Sequence, residues 1–184
     1  MRFAIFFHEI FGLTLVCLLL LIREKGVAKH LFWHTDGLKA MWRGILLRSI
    51  LVAVVVTGLV MWISPNMLFA FPRRKPLVWL VVMILYPPLS AYPQELVYRT
   101  FFFHRYRALF RKEWTLVAAS AGTYAFMHIV FDNIPAVVLT AAAGVSFCWT
   151  FRRSHSLAAV ALEHALYGNI VFTIGLGRFF YEGF

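Results

Sequence analysis

The sequence predicts an all-α fold: a polytopic integral membrane bundle of about six transmembrane helices, the third broken by proline. Three observations predict it. Hydrophobic residues make up 61% of the chain and mean hydropathy is +0.76, well above soluble domains. Apolar runs long enough for a helix to cross the hydrocarbon, which takes roughly 20 residues, recur along the chain. The Lys and Arg residues that give a net charge of +10 gather between those runs, where they meet lipid headgroups and set orientation. That distribution makes the lipid bilayer the partner and gives no reason to invoke nucleic acid. At 184 residues there is room for a single integral membrane domain, 1–184, and none for a separate soluble one. Cys17 and Cys148 fall inside apolar runs and read as small core residues, not as a disulfide framework.

The apolar runs cover 3–22, 45–63, 77–103, 114–131, 134–151 and 157–176. The first has no small-residue cleavage site and contains His8 and Glu9, so it reads as a retained helix and not as a signal peptide. The second, with the first, makes residues 1–76 a pair of N-terminal helices. The third is longer than one crossing requires and holds Pro87, Pro88 and Pro93, each of which removes a backbone donor and disfavours the preceding turn. A kinked or broken helix is expected there. Irregular backbone at membrane depth survives only under cover of protein or beside a cavity, which puts Tyr92 to Arg99 inside the bundle. The fourth and fifth runs carry the small stretches Ala118 to Gly122 and Thr140 to Gly144, which let helix backbones approach closely. The sixth leads to an aromatic and basic tail, Gly175 to Tyr181, of interfacial-anchor type.

Eleven cations, Arg23, Lys25, Lys29, Lys39, Arg43, Arg105, Arg107, Arg111, Lys112, Arg152 and Arg153, fall on one side of six crossings, and five, Arg2, Arg73, Arg74, Lys75 and Arg178, on the other. The excess predicts that loops 23–43, 104–113 and 152–156 are cytoplasmic and both termini lie outside.

Few polar residues remain within the runs. An ionisable group at mid-helix costs roughly 2.5–3.5 kcal/mol on insertion scales, so each is a functional candidate until a partner explains it. His8, Glu9 and Arg48 lie near helix ends, where snorkelling accounts for them. Glu95 and Arg99 are four apart, share a helix face and neutralise each other. Gln94 points about 100° away. His128 lies deep in the fourth run with Tyr124 one turn before it, and His164 is near the centre of the sixth. Three helices thus each contribute a group suited to acid, base or metal chemistry.

The stretches Gln94 to Arg99, Tyr124 to His128 and His164 to Asn169 resemble the three motifs of the CPBP intramembrane proteases, which include CAAX-processing endopeptidases and bacteriocin-processing or immunity proteins. The family pattern is Glu-Glu-x-x-x-Arg, Phe-x-x-x-His and His-x-x-x-Asn on separate transmembrane helices. Here Gln94 replaces the first Glu, Tyr124 replaces Phe, and Asn169 follows His164 by five residues. The resemblance covers the 77–177 core and not the first two helices. It implies an intramembrane endopeptidase in a prokaryotic inner or plasma membrane, acting on a membrane-associated protein or peptide. It further implies a catalytic set of Glu95, His128, His164 and Asn169 supported by Gln94 and Arg99.

In the family the first carboxylate is usually the general base, and Gln94 cannot take up a proton. Glu95 is then the remaining candidate, with His128 orienting the water, and His164 and Asn169 donating to the oxyanion. Glu95, His128 and His164 also make a His₂Glu set sufficient for a zinc ion. An inactive membrane scaffold or immunity protein is the alternative that Gln94 favours, and paired His128 and His164 leave a b-type haem carrier open. Five-residue spacing puts Asn169 about 140° from His164 unless a π-type turn intervenes, which Gly168 would ease. Glu163, about 100° from His164, reads as a supporting or interfacial group.

Overall fold

A computed structural model describes residues 2–24 and 35–180, with side chains from Glu9 onward. The side chains of Arg2 and His8, and Lys25, Lys29 and Tyr181, lie outside the described residues. Among the described residues, seven helices follow in order: α1 (Arg2–Arg23), α2 (Thr35–Ile63), the short α3 (Ala70–Arg74), α4 (Pro76–Leu109), α5 (Glu113–Met127), α6 (Ile134–Ser154) and α7 (Leu157–Ile174). Short 3₁₀ turns follow α2, α5 and α7, at Pro65–Met67, His128–Phe131 and Leu176–Phe179. Among the described residues, five helices are long and apolar enough to cross a membrane: α2, α4, α5 continued to Phe131, α6 and α7. About six were expected; the 22-residue α1 is not among these five. The protein is an integral, polytopic helical membrane protein.

Side chains are distributed inside out relative to a soluble domain. Trp62 is 84% exposed and Leu77 78%, whereas Glu95, Arg99 and Glu163 are each 0% exposed. Lipid is the solvent that makes an apolar exterior stable, and the bundle interior is where charges find partners.

The helix ends follow from the sequence. Asn133 caps α6, its side chain accepting from Ala136 N, with Pro135 in the first turn where no donor is needed. Ser156 caps α7 through Ala159 N. Asp132 and His155 take left-handed backbone where α5 and α6 stop. α4 stays helical over 34 residues, and its prolines act by widening turns. Pro87–Ala91 and Leu96–Phe101 are π-helical, so that Tyr92 N–H reaches back five residues to Pro87 O. The expected break therefore takes the form of two π turns flanking Tyr92–Glu95. They loosen the ladder of α4, and a neighbouring helix reaches one of its carbonyls: Ser120 Oγ donates to Tyr98 O (2.6 Å).

α5 and α6 pack closely where the two small-residue runs meet, with a Cβ added at Gly144 falling 3.2 Å from Ala121 Cα. α4 is tied to α7 by Trp79 Nε1 to Thr173 Oγ1 (3.0 Å). At one end of the bundle Glu24 pairs with His104 and Arg105, and Glu113 with Arg107 and Arg152. Residue 24 and the 104–113 and 152 regions, grouped on one side by charge, thus share one end. At the other end Phe69 N donates to Ile174 O and Asn133 Nδ2 to Phe179 O. Cys17 and Cys148 are buried free thiols.

Candidate active site

A cavity of about 380 Å³ lies between α4, α5, α6 and α7. Its walls are mostly apolar, with Val78, Leu85, Leu139 and Phe172 among them, and it extends toward Phe131 and Phe180 at the end away from the basic loops. Gln94, Tyr124, His128 and His164 are among its polar lining residues, with Ser90 and Thr140. Four helices thus deliver the three motif stretches and one wall to a single space. His128 and His164 meet at this cavity as expected, but Glu95, expected with them, is not in its wall and Gln94 is.

The connections among these groups are specific. His164 Nδ1 is 2.7 Å from Glu95 Oε1; with the carboxyl ionised opposite Arg99, the ring nitrogen is the donor and the carboxylate the acceptor. That proton placement makes His164 Nε2 an acceptor, and the Tyr124 hydroxyl donates to it over 3.2 Å. His128 Nδ1 donates to Tyr124 O, the carbonyl one turn earlier, over 2.8 Å. Tyr124 packs its edge against both imidazoles, with centroids 4.8 Å from His128 and 5.7 Å from His164. Phe147 stacks on His164 at 4.7 Å.

Glu95 does not form part of the cavity wall. Its second oxygen lies 3.1 Å from Arg99 Nε, and both side chains are fully buried. Arg99 in turn donates from Nη2 to Gly144 O (3.1 Å) and sits over the rings of Tyr124 and Phe147. The i, i+4 pair expected from the sequence is present, and it turns Glu95 toward Arg99 and His164 instead of open space. Gln94 is the motif residue that faces the cavity. Its Nε2 donates to Ser90 Oγ over 2.7 Å, and its buried Oε1 has no hydrogen-bond partner among the described residues.

Two expectations are corrected by the geometry. α7 is regular α-helix through His164 and Asn169, so the π turn expected there is absent; the π turns lie in α4. Asn169 is consequently rotated away from the cavity wall, and its Nδ2 reaches Met83 O on α4 at 3.4 Å. Gly168, the residue read as easing a π turn, instead makes room for Tyr86: a Cβ there would fall 2.1 Å from the ring. The zinc reading also fails to fit. Glu95 is occupied by Arg99 and His164, and among the described residues no three His, Cys, Asp or Glu side chains are grouped to hold a metal ion. The haem reading has no better fit, because the ring of Tyr124 packs against both imidazoles that would have to face the cofactor.

A second buried network was not legible. Glu163 accepts at Oε1 from Arg48 Nε (2.8 Å), Ser146 Oγ (2.9 Å) and Tyr167 OH (3.0 Å). Arg48 also donates to Thr150 (2.7 Å). Arg48 therefore reaches inward and does not snorkel. The available signal was an arginine and a glutamate, each within an apolar run, whose charges cancel only if the two helices touch.

A family model described as type II CAAX prenyl endopeptidase Rce1-like matches residues 73–170, more than half of the chain. The chain belongs to this family. Comparison with curated proteins and with solved structures finds no match in either. The Rce1-like region includes all three motif stretches and leaves out α1 and α2, so Arg48 enters the buried network from outside it. Membership in the Rce1-like family, with the apolar helices, supports a CAAX-type intramembrane protease working in a lipid environment on a membrane-associated substrate.

Proposed function

We propose that the protein hydrolyses a peptide bond of a membrane-associated substrate, using a water activated by the Glu95–His164 pair. One observation carries this reading. The carboxylate sits on Nδ1 of an imidazole that lines the cavity, the arrangement that fixes a tautomer and presents the opposite nitrogen as the acceptor. Glu95 thus acts through His164 and not as the direct base. The water oxygen attacks the carbonyl carbon while one of its protons passes to His164 Nε2 in place of the Tyr124 hydrogen bond. Glu95 stabilises the imidazolium so formed. Collapse of the tetrahedral intermediate breaks the C–N bond, and the amine leaves with the proton from His164. Gln94 Oε1 is a buried acceptor at the cavity, suited to hold the second hydrogen of the water. His128, fixed through its Nδ1, contributes an acceptor nitrogen to the same space.

The test uses purified protein in liposomes with membrane-anchored peptides, prenylated and unprenylated. The unmodified chain is expected to cut at least one, and His164→Ala to lose that activity. A second reading has its own support: the motif position that faces the cavity holds an amide. If the unmodified chain cuts nothing while Gln94→Glu cuts, the protein is an Rce1-like scaffold that has lost its base.

A further inference from the structure

The corrected position of Asn169 leaves the oxyanion of a hydrolytic site without the donor that the motif assigns to it. Three tyrosines line the cavity, Tyr86, Tyr124 and Tyr167. The hydroxyl of Tyr167 is bonded to Glu163, and that of Tyr124 to His164 until water takes its place. Tyr86 differs. No hydrogen bond from a described residue engages its hydroxyl, yet the ring is tightly placed. It meets His164 edge-on at 5.9 Å and Phe172 at 5.4 Å. It also presses its hydroxyl end onto the backbone of α7, where a Cβ on Gly168 would fall 2.5 Å from the oxygen. No side chain beyond hydrogen fits between them, so Gly168 holds the phenol one turn past His164.

We propose that Tyr86 is a catalytic residue, its hydroxyl donating to the carbonyl oxygen of the substrate as that oxygen becomes negative. This rests on the hydrolytic reading of the same cavity. A phenol held by packing loses little freedom when charge develops and is directed by the ring contacts, the two requirements for an oxyanion donor. The first step then runs with the C=O electron pair moving onto oxygen against the Tyr86 hydroxyl while His164 takes the water proton. In the second the pair returns as the C–N bond breaks. Tyr86 keeps its proton throughout.

The experiment compares the unmodified chain with Tyr86→Phe, Gly168→Ala and Asn169→Ala, by cleavage and by binding of a peptide phosphinate that mimics the tetrahedral anion. Loss of one oxyanion donor is expected to lower kcat on the order of 10²-fold, with KM changed less than roughly threefold because the ground-state contact is weaker. Tyr86→Phe is expected to weaken the phosphinate at least about tenfold more than the parent peptide, as differential transition-state binding requires. Gly168→Ala, which keeps the phenol but fills its seat, is expected to act in the same direction, and Asn169→Ala to leave kcat within about threefold of the starting value. Equal phosphinate affinity in the unmodified chain and in Tyr86→Phe overturns the assignment, whether or not the chain cleaves. A chain that binds the phosphinate in a Tyr86-dependent way but cuts no peptide overturns the hydrolytic reading and leaves the donor in place.

Discussion

Glu163 and His164 are neighbours on α7 and belong to different buried networks: His164 donates to Glu95 on α4, whereas Glu163 accepts from Arg48 on α2. The two directions are about 100° apart on a regular helix, which lets one turn of α7 brace the site from behind while serving it in front. The first expectation concerns that brace. Arg48→Ala leaves a fully buried carboxylate without its cation, and loss of one partner of a buried pair costs on the order of 3–5 kcal/mol. Partial exposure of the Arg48 side chain, 25%, places the expected cost toward the lower end. Arg48→Ala with Glu163→Gln should recover part of the loss in detergent unfolding. Additive losses in this cycle would show that the two side chains are not coupled.

Glu95 and Arg99 separate stability from chemistry. Glu95→Gln is expected to lower cleavage by roughly 10²–10⁴-fold, the range for loss of acid–base function, and also to destabilise the bundle by leaving Arg99 uncompensated. Adding Arg99→Met should restore stability and leave activity low. Recovery of activity in the double variant would remove Glu95 from the catalytic route.

The Gln94 amide gives the sharpest choice. Gln94→Ala removes the acceptor offered to the water and is expected to lower kcat by about fivefold, as loss of one hydrogen bond to a neutral group worth about 1 kcal/mol implies. Gln94→Glu restores a carboxylate to the cavity and is expected to equal or exceed the unmodified chain. A Gln94→Ala chain as active as the original would show that the amide holds no reacting water.

Metal removal should have no effect. Glu95 is held by Arg99 and His164, so the His₂Glu donors are not presented to one point. Prolonged treatment with a zinc chelator should leave the cleavage rate unchanged and the protein without stoichiometric zinc. Loss of activity restored by added zinc would instead mean that the ligands rearrange.

Orientation is open to chemical labelling. The charge excess predicts that the end bearing Glu24, Glu113 and the basic loops is cytoplasmic and the end bearing Arg178 outside. In a chain whose native thiols are buried, Arg111→Cys should react with an impermeant maleimide only after the membrane is opened, and Arg178→Cys in intact cells. The reverse pattern would invert the topology.

The apolar runs and the burial of Gln94, Glu95, His128 and His164 were readable because both depend on local rules: apolar runs cost nothing in lipid, and polar groups within them must turn inward; the start of α2 was not, since the helix begins at Thr35, inside the stretch expected as a loop. The roles of those residues were less readable. Whether Glu95 or Gln94 faces the cavity depends on the rotation of α4, which its π turns alter and which no heptad or period of 3.6 reports. Asn169 was expected to follow the motif to the site, but α7 remained regular and the spacing of five carried it to Met83. Gly168 looked like a helix-loosening residue, and its use became visible only with Tyr86 beside it, 82 positions earlier in the chain. Arg48 was legible as a charge but not as a partner, since Glu163 lies 115 residues away.

The two ion pairs also impose different conditions on how the chain is made. Glu95 and Arg99 lie on one helix, so α4 carries its own neutraliser and can leave the insertion machinery as an electrically balanced segment. α7 cannot. Its Glu163 meets its counter-ion only on α2, synthesised long before, and a solitary carboxylate at mid-helix disfavours partition into lipid by roughly 2.5–3.5 kcal/mol. α2 must therefore wait near the exit for the last helix. A glycosylation reporter placed after α7 should reveal the dependence as failed membrane integration of that segment when Arg48 is replaced, while integration of α4 is unaffected.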